Sequence, residues 1–552
     1  MKLALVALGF LALLAAAYRF YGRWIARQLE VDDARTTPAH AKQDGVDFVP
    51  TPPFYLFAQH FSAIAAAGPI AGPILACQNF GWVPCLLWIG LGVVFIGAVH
   101  DFASLAASVR HGATSIAEIA RERLGTPAGR AMMAFIWIAL IYVIVAFTDI
   151  TAVTFTTGTE DLVAASVSFN PGGAVAMASV LYLVLAIVMG FVQRFFAPPL
   201  WLVTGIFVPA TFGLAWAGTY LSHVLVLDRT TWGLLILGYC ALASVTPVWA
   251  LLQPRGYLGG FVLYTALLVG VIGVLFGGYE IRQPAFASFN LASGAGSMFP
   301  FLFVTIACGA CSGFHGLVCS GTTSKQLSRE SHMHFVGYGA MLAEGFVALI
   351  ALVTVMIVAP ADLKGLAPAT IYGHGIGEFL TLMIGRDNFN FAITFGAMAF
   401  STFVFDTLDV CTRLGRYILE ELFGWRTRVG AAVATLITIG PPVLFLTRGK
   451  SSTWSEYWTL FGASNQLLAG LTLIAVSVWL HHMGRRARFT LIPAAFVLSI
   501  TIWALVRIAA TSFDAGKIAN AVSACALVAL ALFVVAAAAS RWRSVPGIPP
   551  PS

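Results

Sequence analysis

Charge is scarce in this chain. Only 10% of its 552 residues are Asp, Glu, Lys or Arg, against 59% hydrophobic, and the mean hydropathy is +0.86. A soluble domain carries about 25% charged residues to face water, so a water-soluble core or series of cores is excluded. A disulfide framework is also lacking, because the eight cysteines lie mostly inside apolar runs rather than at the spacings of a small secreted scaffold. No HExxH, Walker phosphate loop or GxSxG elbow occurs, and His374 and Glu378 in GHGIGE do not form the first of these. The net charge of +7 comes from scattered basic residues without a patch or tail, which speaks against nucleic acid as a partner. No catalytic residues and no cofactor are expected.

What is present is a series of apolar runs long enough to cross a bilayer. They fall near 2–18, 55–77, 83–108, 131–153, 173–192, 197–221, 232–252, 257–277, 298–318, 335–359, 388–405, 430–447, 456–480, 489–508 and 518–540. The fold class is therefore an all-α polytopic membrane protein with about fifteen transmembrane helices. A shorter apolar piece, 371–384, reads as a half-span or surface helix. With the N-terminus outside, 22 of the 31 Lys and Arg fall in inside segments, as the positive-inside rule requires. Only Arg448 and Lys450 run clearly against it. The C-terminus is then cytoplasmic. The apolar start, 1–18, has its basic flank after it, the reverse of a signal peptide, and reads as a retained peripheral span.

Two spans carry sequences that a lipid-buried helix ordinarily avoids. FAQHFSAIAAAGPIAGPILA places His60, Gly68, Pro69, Gly72 and Pro73 inside the second. Proline removes a donor and crowds the preceding turn, so this span is expected to unwind around the two Gly-Pro pairs. Tight glycine packing or a proline kink is the alternative. The ninth span, FPFLFVTIACGACSGFHGLVCSGTTSKQL, contains four glycines and His315. Irregular backbone in lipid survives where protein buries it or where it lines a wet cavity, and transporters bind solute at such breaks. By the alternation above the two spans run in opposite directions, as an inverted repeat demands. The expected organisation is one transport domain over 1–540: a first repeat at 55–222, an inserted hairpin at 232–277, a second repeat at 298–480, and peripheral helices at 489–540. A cytoplasmic tail follows at 541–552.

Strings such as TPPFYLFAQHFSAIAAAGPIAGPILA, AVHDFASLAASVRHGATSIAEIA, SGFHGLVCSGTTSKQL, STFVFDTLDVCTRLGRYILEEL and GASNQLLAGL resemble the carbon starvation protein A (CstA) family of bacterial inner-membrane transporters, from about Asp32 to Leu471. The resemblance implies ion-coupled uptake of short peptides or pyruvate and a LeuT-type (APC superfamily) inverted repeat. Many relatives carry a second histidine where this chain has Gln59 and a glutamine where it has His100. A membrane nutrient sensor that binds solute without transporting it is the other function class, although the chain has no sizeable soluble domain for signal output.

Ionisable groups at membrane depth are candidate pathway residues. His60, about 8 Å into its span, is suited to carry a proton or to bond a neighbouring carbonyl. His100 and Asp101 end the third span; as adjacent residues they point apart and read as interfacial rather than as a pair. Glu344, about 13 Å into the tenth span, either bonds across helices or relays a proton. Ser401 and Thr402 offer hydroxyls for a small hard cation, and the LeuT-type resemblance sets them beside carbonyls near Ala65 to Gly68. Asp406 and Asp409 share a helix face, with Arg413 four residues on, as an inner-gate ion pair or a solvated helix end. His315, Thr322, Thr323 and Lys325 complete the candidate solute site, Lys325 as an attractor of anions. Asn465 and Gln466 read mainly as packing or interhelical hydrogen bonds. Cys308, Cys311, His315 and Cys319 spread over about 16 Å on a continuous helix, too far for one tetrahedral zinc, so no metal is expected. The coupling ion is Na+ or H+, the partners are a small-molecule substrate and the bilayer, and the oligomeric state is open.

Overall fold

The structure, a computed structural model, describes residues 3–44, 47–65, 67–156, 169–247, 249–291, 296–363, 365–425, 427–448 and 453–543. Ala66, Lys450 and the tail beyond Arg543 lie outside the described residues. Among those described, every regular element is helical. Twelve helices are long and apolar enough to cross a bilayer. They are α1 (Leu3–Gln28), α4 (Trp82–Arg110), α6 (Thr126–Thr156), α7 (Pro171–Phe196), α8 (Leu200–Tyr220), α10 (Leu252–Phe276), α13 (His334–Met356), α15 (Arg386–Phe423), α16 (Arg428–Arg448), α17 (Tyr457–His482), α18 (Arg488–Asp514) and α19 (Ile518–Trp542). The pair α2 (Pro53–Ile64) and α3 (Gly68–Phe80), bent by 47°, makes a thirteenth span. The remaining windows fall on α9 (Arg229–Val245), at 17 residues shorter than any of the twelve, and on the interrupted pair α11 (Met298–Thr305) and α12 (Phe314–Gly321). Helix α5 (Ile116–Leu124) lies between spans, opened by a Ser115 cap that accepts from the Glu118 amide.

The 371–384 segment belongs to α14 (Pro368–Ile384), a buried helix hairpinned onto the start of α15. Small residues make the close approach possible: a Cβ on Gly373 would stand 2.9 Å from that of Ala397, and one on Gly375 only 2.4 Å from Thr354 of α13. Gly385, at φ +82, turns the chain from α14 toward α15.

The first break sits slightly upstream of its expected place. Ala65 leaves the helix at φ −73, ψ 59, and Gly68 and Pro69 already open α3. Pro69 occupies the first turn, where a missing N–H costs nothing, and Pro73 is accommodated inside α3. The glycines serve close approach instead. A Cβ on Gly68 would meet Cys308 Sγ at 2.4 Å, and one on Gly72 would meet the Thr305 carbonyl at 2.6 Å. His60 meets Thr323, Gly68 meets Cys308 and Gly72 meets Thr305, so ascending numbers on one broken span face descending numbers on the other. The two spans cross antiparallel, break against break.

Candidate functional site

The break between α11 and α12 leaves helix-end carbonyls and amides without intrahelical partners. Side chains take them up. Trp88 Nε1 donates to the Ile306 carbonyl (3.3 Å), Trp458 Nε1 to that of Thr305 (3.1 Å) and Gln466 Nε2 to that of Phe303 (3.4 Å). Asn465 seals the other side: its Oδ1 accepts from the Phe314 amide (2.9 Å), and its backbone carbonyl accepts from the Gly313 amide (3.0 Å). Its Nδ2 reaches Ser312 Oγ at 3.0 Å and Cys308 Sγ at 3.1 Å. Asn465 thus splints the discontinuity, a more specific role than the packing expected for it.

Against this splinted break lies a chain of buried ionisable groups. Asp101 Oδ1 faces His100 Nδ1 at 2.7 Å, and Asp101 Oδ2 faces His315 Nδ1 at 2.8 Å. The other ring nitrogen of His315 stands 3.0 Å from Glu344 Oε2. All four side chains are buried. They come from α4, α12 and α13, and π turns at Val93–Gly97 and His334–Gly339 lie shortly before Asp101 and Glu344, a deviation often found at functional sites. His100 and Asp101 therefore depart from expectation: they are paired, and they are not interfacial. α4 runs on to Arg110, which sets His100 about 15 Å from the helix end, and the imidazole folds back onto the neighbouring carboxylate. The Nε2 atoms of His60 and His100 and Oε1 of Glu344 are buried without a hydrogen-bond partner. His100 Nε2 faces Gly316 of α12, whose absent side chain leaves 3.3 Å between an added Cβ and the ring.

Other expected residues sort clearly. His60 Nδ1 bonds Thr323 Oγ1 at 2.8 Å, joining the first broken span to the turn after α12. Thr322 donates to its own helix at the Val318 carbonyl and is exposed, while Lys325 lies over the Phe48 ring at 5.7 Å. Neither reaches the break. Ser401 meets Ser179 of α7 at 2.8 Å and also donates to the Met398 carbonyl. Thr402 points its methyl toward Gly259 of α10, with Oγ1 unpartnered. These two side chains lie against α7 and α10, whereas the expected position was beside Ala65 to Gly68.

Asp406 and Asp409 do share a face, but their cation is Arg255 of α10. Arg255 Nε donates to Asp406 Oδ1 at 2.8 Å, and its NH1 lies 2.7 Å from Asp409 Oδ2. Tyr239 of α9 hydrogen-bonds both Asp409 and Arg255. Arg413 instead donates to the carbonyls of Ala243 and Thr246 at the end of α9. A second ion pair joins α6 to α9: the half-buried Arg229 grips both oxygens of the buried Asp149 at 2.6 Å. Sequence reasoning passed over Arg255 and Asp149. The signal was available, because both are lone charges inside or bordering apolar runs.

A family model described as carbon starvation protein CstA matches residues 1–374 and 364–504. The chain belongs to the CstA family. It is 34% identical to the peptide transporter CstA of Campylobacter jejuni over 93% of this chain and 81% of that one. The peptide transporter CstA of Bacillus subtilis is 32% identical over 99% and 98%. The pyruvate/proton symporter BtsT of Escherichia coli is 30% identical over 89% and 79%. Among solved structures, a manganese transporter of Eremococcus coleocola aligns over 90% of the chain with 13% identity and a TM-score of 0.47.

In this CstA-family chain the buried network gathers two carboxylates and two imidazoles, so its net charge changes by one with each proton. A net charge in hydrocarbon is strongly disfavoured. With Asp101 ionised and His315 protonated, the group is neutral only when Glu344 carries a proton or when another imidazole does. Loss of that proton leaves one uncompensated negative charge beside the crossing.

At one end of the bundle a further cluster closes over the broken spans. Glu330, buried in the loop after α12, accepts from Arg110 (2.9 and 3.0 Å), from Arg35 (3.0 Å) and from the Asp32 amide (3.0 Å). Arg485 pairs with Glu30 at 2.6 Å. Burial pushes the Glu330 carboxyl up, but the bonds from Arg110 and Asp32 and the charges of Arg110 and Arg35 outweigh it and hold the group below the usual carboxylate range. Arginines from three of the basic loops thus meet on one face, as the charge alternation requires.

Proposed function

We infer that this protein takes up small nutrients, short peptides or pyruvate, by proton-coupled alternating access across the bacterial inner membrane, with the Glu330 face cytoplasmic. The observation that supports it is the buried chain His100–Asp101–His315–Glu344, set where two antiparallel broken spans cross. A proton bound there biases the transporter only by binding one state better than the other. Protonation cancels the charge that Glu344 otherwise leaves in a dry, occluded core. Opening hydrates it and lowers the cost of release. The relatives named as peptide transporters and as a pyruvate/proton symporter support the substrate class and the proton.

In this reading the helices form two inverted repeats of five. The second is α11/α12, α13, α15, α16 and α17. For the first, α10 takes the fifth place, because it packs on the first broken span as α17 packs on the second: Tyr264 donates to the Ala58 carbonyl and stacks on Phe61. The first repeat is then α2/α3, α4, α6, α9 and α10, and the added hairpin is α7–α8 in place of 232–277. Uptake of labelled pyruvate and of L-alanyl-L-alanine into proteoliposomes, under separately imposed pH and sodium gradients, tests the proposal. Accumulation driven by an inward proton gradient without sodium is expected. Accumulation driven by sodium alone overturns the proton assignment, and none under either gradient overturns uptake.

A further inference from the structure

At the end of α13 remote from Glu330, a cavity of about 500 Å³ opens between the loop after α10, the loop after α13, and α14. That volume lies within the usual range for small-molecule sites, roughly 300–1,000 Å³. Its wall carries charges of both signs. Arg386 is held by Glu378 at 3.0 and 3.2 Å. Arg282, Glu280 and Asp362 have no side-chain partner among the described residues, and each is exposed to the cavity side of its loop. Leu366 and Ile371 supply an apolar floor. His374 also lines the cavity, with Nδ1 buried and unpartnered.

The walls are pinned in place. The Arg282 amide donates to the Met356 carbonyl at 2.8 Å, Gln283 Nε2 to that of Val358 at 2.6 Å, and Tyr279 OH to that of Glu378 at 3.1 Å. A preformed cavity with fixed loops loses little ordering entropy on binding. One free guanidinium and two free carboxylates beside an apolar floor match a solute with a carboxylate, an ammonium and a small side chain. A guanidinium pairs well with a carboxylate, and an ammonium suits Glu280 and Asp362. Pyruvate, a small monoanion, satisfies Arg282 but leaves both carboxylates unanswered.

We propose that this cavity is a binding site for zwitterionic short peptides on the outer face, separate from the crossing of the broken spans. It rests on the reading of the chain as a nutrient transporter and is argued from the cavity's own charges. The site takes no part in proton coupling.

Titration calorimetry on the full chain in lipid nanodiscs tests it, with L-alanyl-L-alanine, its N-acetyl and C-amide forms, and pyruvate as probes. The dipeptide is expected to bind, and either blocking group to weaken binding at least tenfold. Arg282→Gln and the double variant Glu280→Gln/Asp362→Asn should each do the same while leaving the melting temperature unchanged, and Glu344→Gln should bind normally. Absence of dipeptide binding, equal binding by the cavity variants, or pyruvate competing for the dipeptide overturns the proposal. Proton-driven uptake measured alongside separates the two ideas: failure of uptake with cavity binding intact removes the coupling scheme and leaves the cavity site standing.

Discussion

Glu344 pairs on one side only: Oε2 faces His315 at 3.0 Å, and Oε1 has no partner. A buried carboxylate so placed is tolerable when neutral and costly when charged, which is why the proposed mechanism assigns the coupling proton to it. Glu344→Gln keeps the shape and fixes the neutral form, so proton-driven accumulation should fall at least tenfold in proteoliposome uptake while protein yield is kept. Arg255 illustrates the opposite case. It neutralises the buried Asp409 and the half-buried Asp406, and Arg255→Met leaves the two carboxylates without their cation. A stability loss of about 3–5 kcal/mol is expected, read as a lower melting temperature in detergent, and Asp406→Asn/Asp409→Asn in the same background should restore most of it. Sequence showed Glu344, His315 and Asp101 singly as charges in apolar runs. Their pairing was not legible, because it joins three helices separated by long stretches of chain. The same holds for Arg255, whose acidic partners lie 151 residues or more away, so that Arg413, nearer to both aspartates, looked the better match.

The discontinuous spans were legible as elements, since Gly-Pro pairs and clustered glycines violate what a lipid-buried helix otherwise favours. What seals them was not. Asn465 supplies both an acceptor and donors across the α11/α12 break, yet GASNQ resembles any small polar patch on a packed helix. Asn465→Leu leaves the Phe314 amide and Ser312 without these bonds. A cost of about 1–3 kcal/mol for each buried group left unsatisfied is expected, with a lower melting temperature and faster amide exchange across 306–314 as the measured signs. Gly68→Val should be as disruptive, because its Cβ meets Cys308 Sγ at 2.4 Å and overpacking costs about 1–3 kcal/mol. The loop carrying Glu330 responds to pH. Its folded value lies below the ordinary 4.5, so its contribution is fully present above about that pH and disappears as pH falls through the lower folded value. Melts of the wild type and of Glu330→Gln between pH 3 and pH 7 should converge at the acid end and separate at the neutral end.

At the scale of the whole molecule, the apolar windows located every span among the described residues, because a span must be mostly apolar whether it faces lipid or, like Tyr457–His482, packs inside the bundle. The proposed order of helices within the repeats was less accessible: α7–α8 and α9–α10 are both apolar hairpins, and the proposal separates them by the packing of α10 on α2. The two breaks meet as an antiparallel pair, and the ionisable chain beside them ties α4, α12 and α13 into one unit whose charge depends on a proton. On the proposed mechanism, one substitution should separate transport from coupling. A pH-sensitive dye trapped in proteoliposomes, with pyruvate or L-alanyl-L-alanine added outside, reads proton entry directly, and counterflow of labelled solute reads exchange. Wild type should acidify the lumen on solute addition, whereas Glu344→Gln should retain counterflow and show no acidification. Lumen acidification by Glu344→Gln equal to wild type would contradict the account.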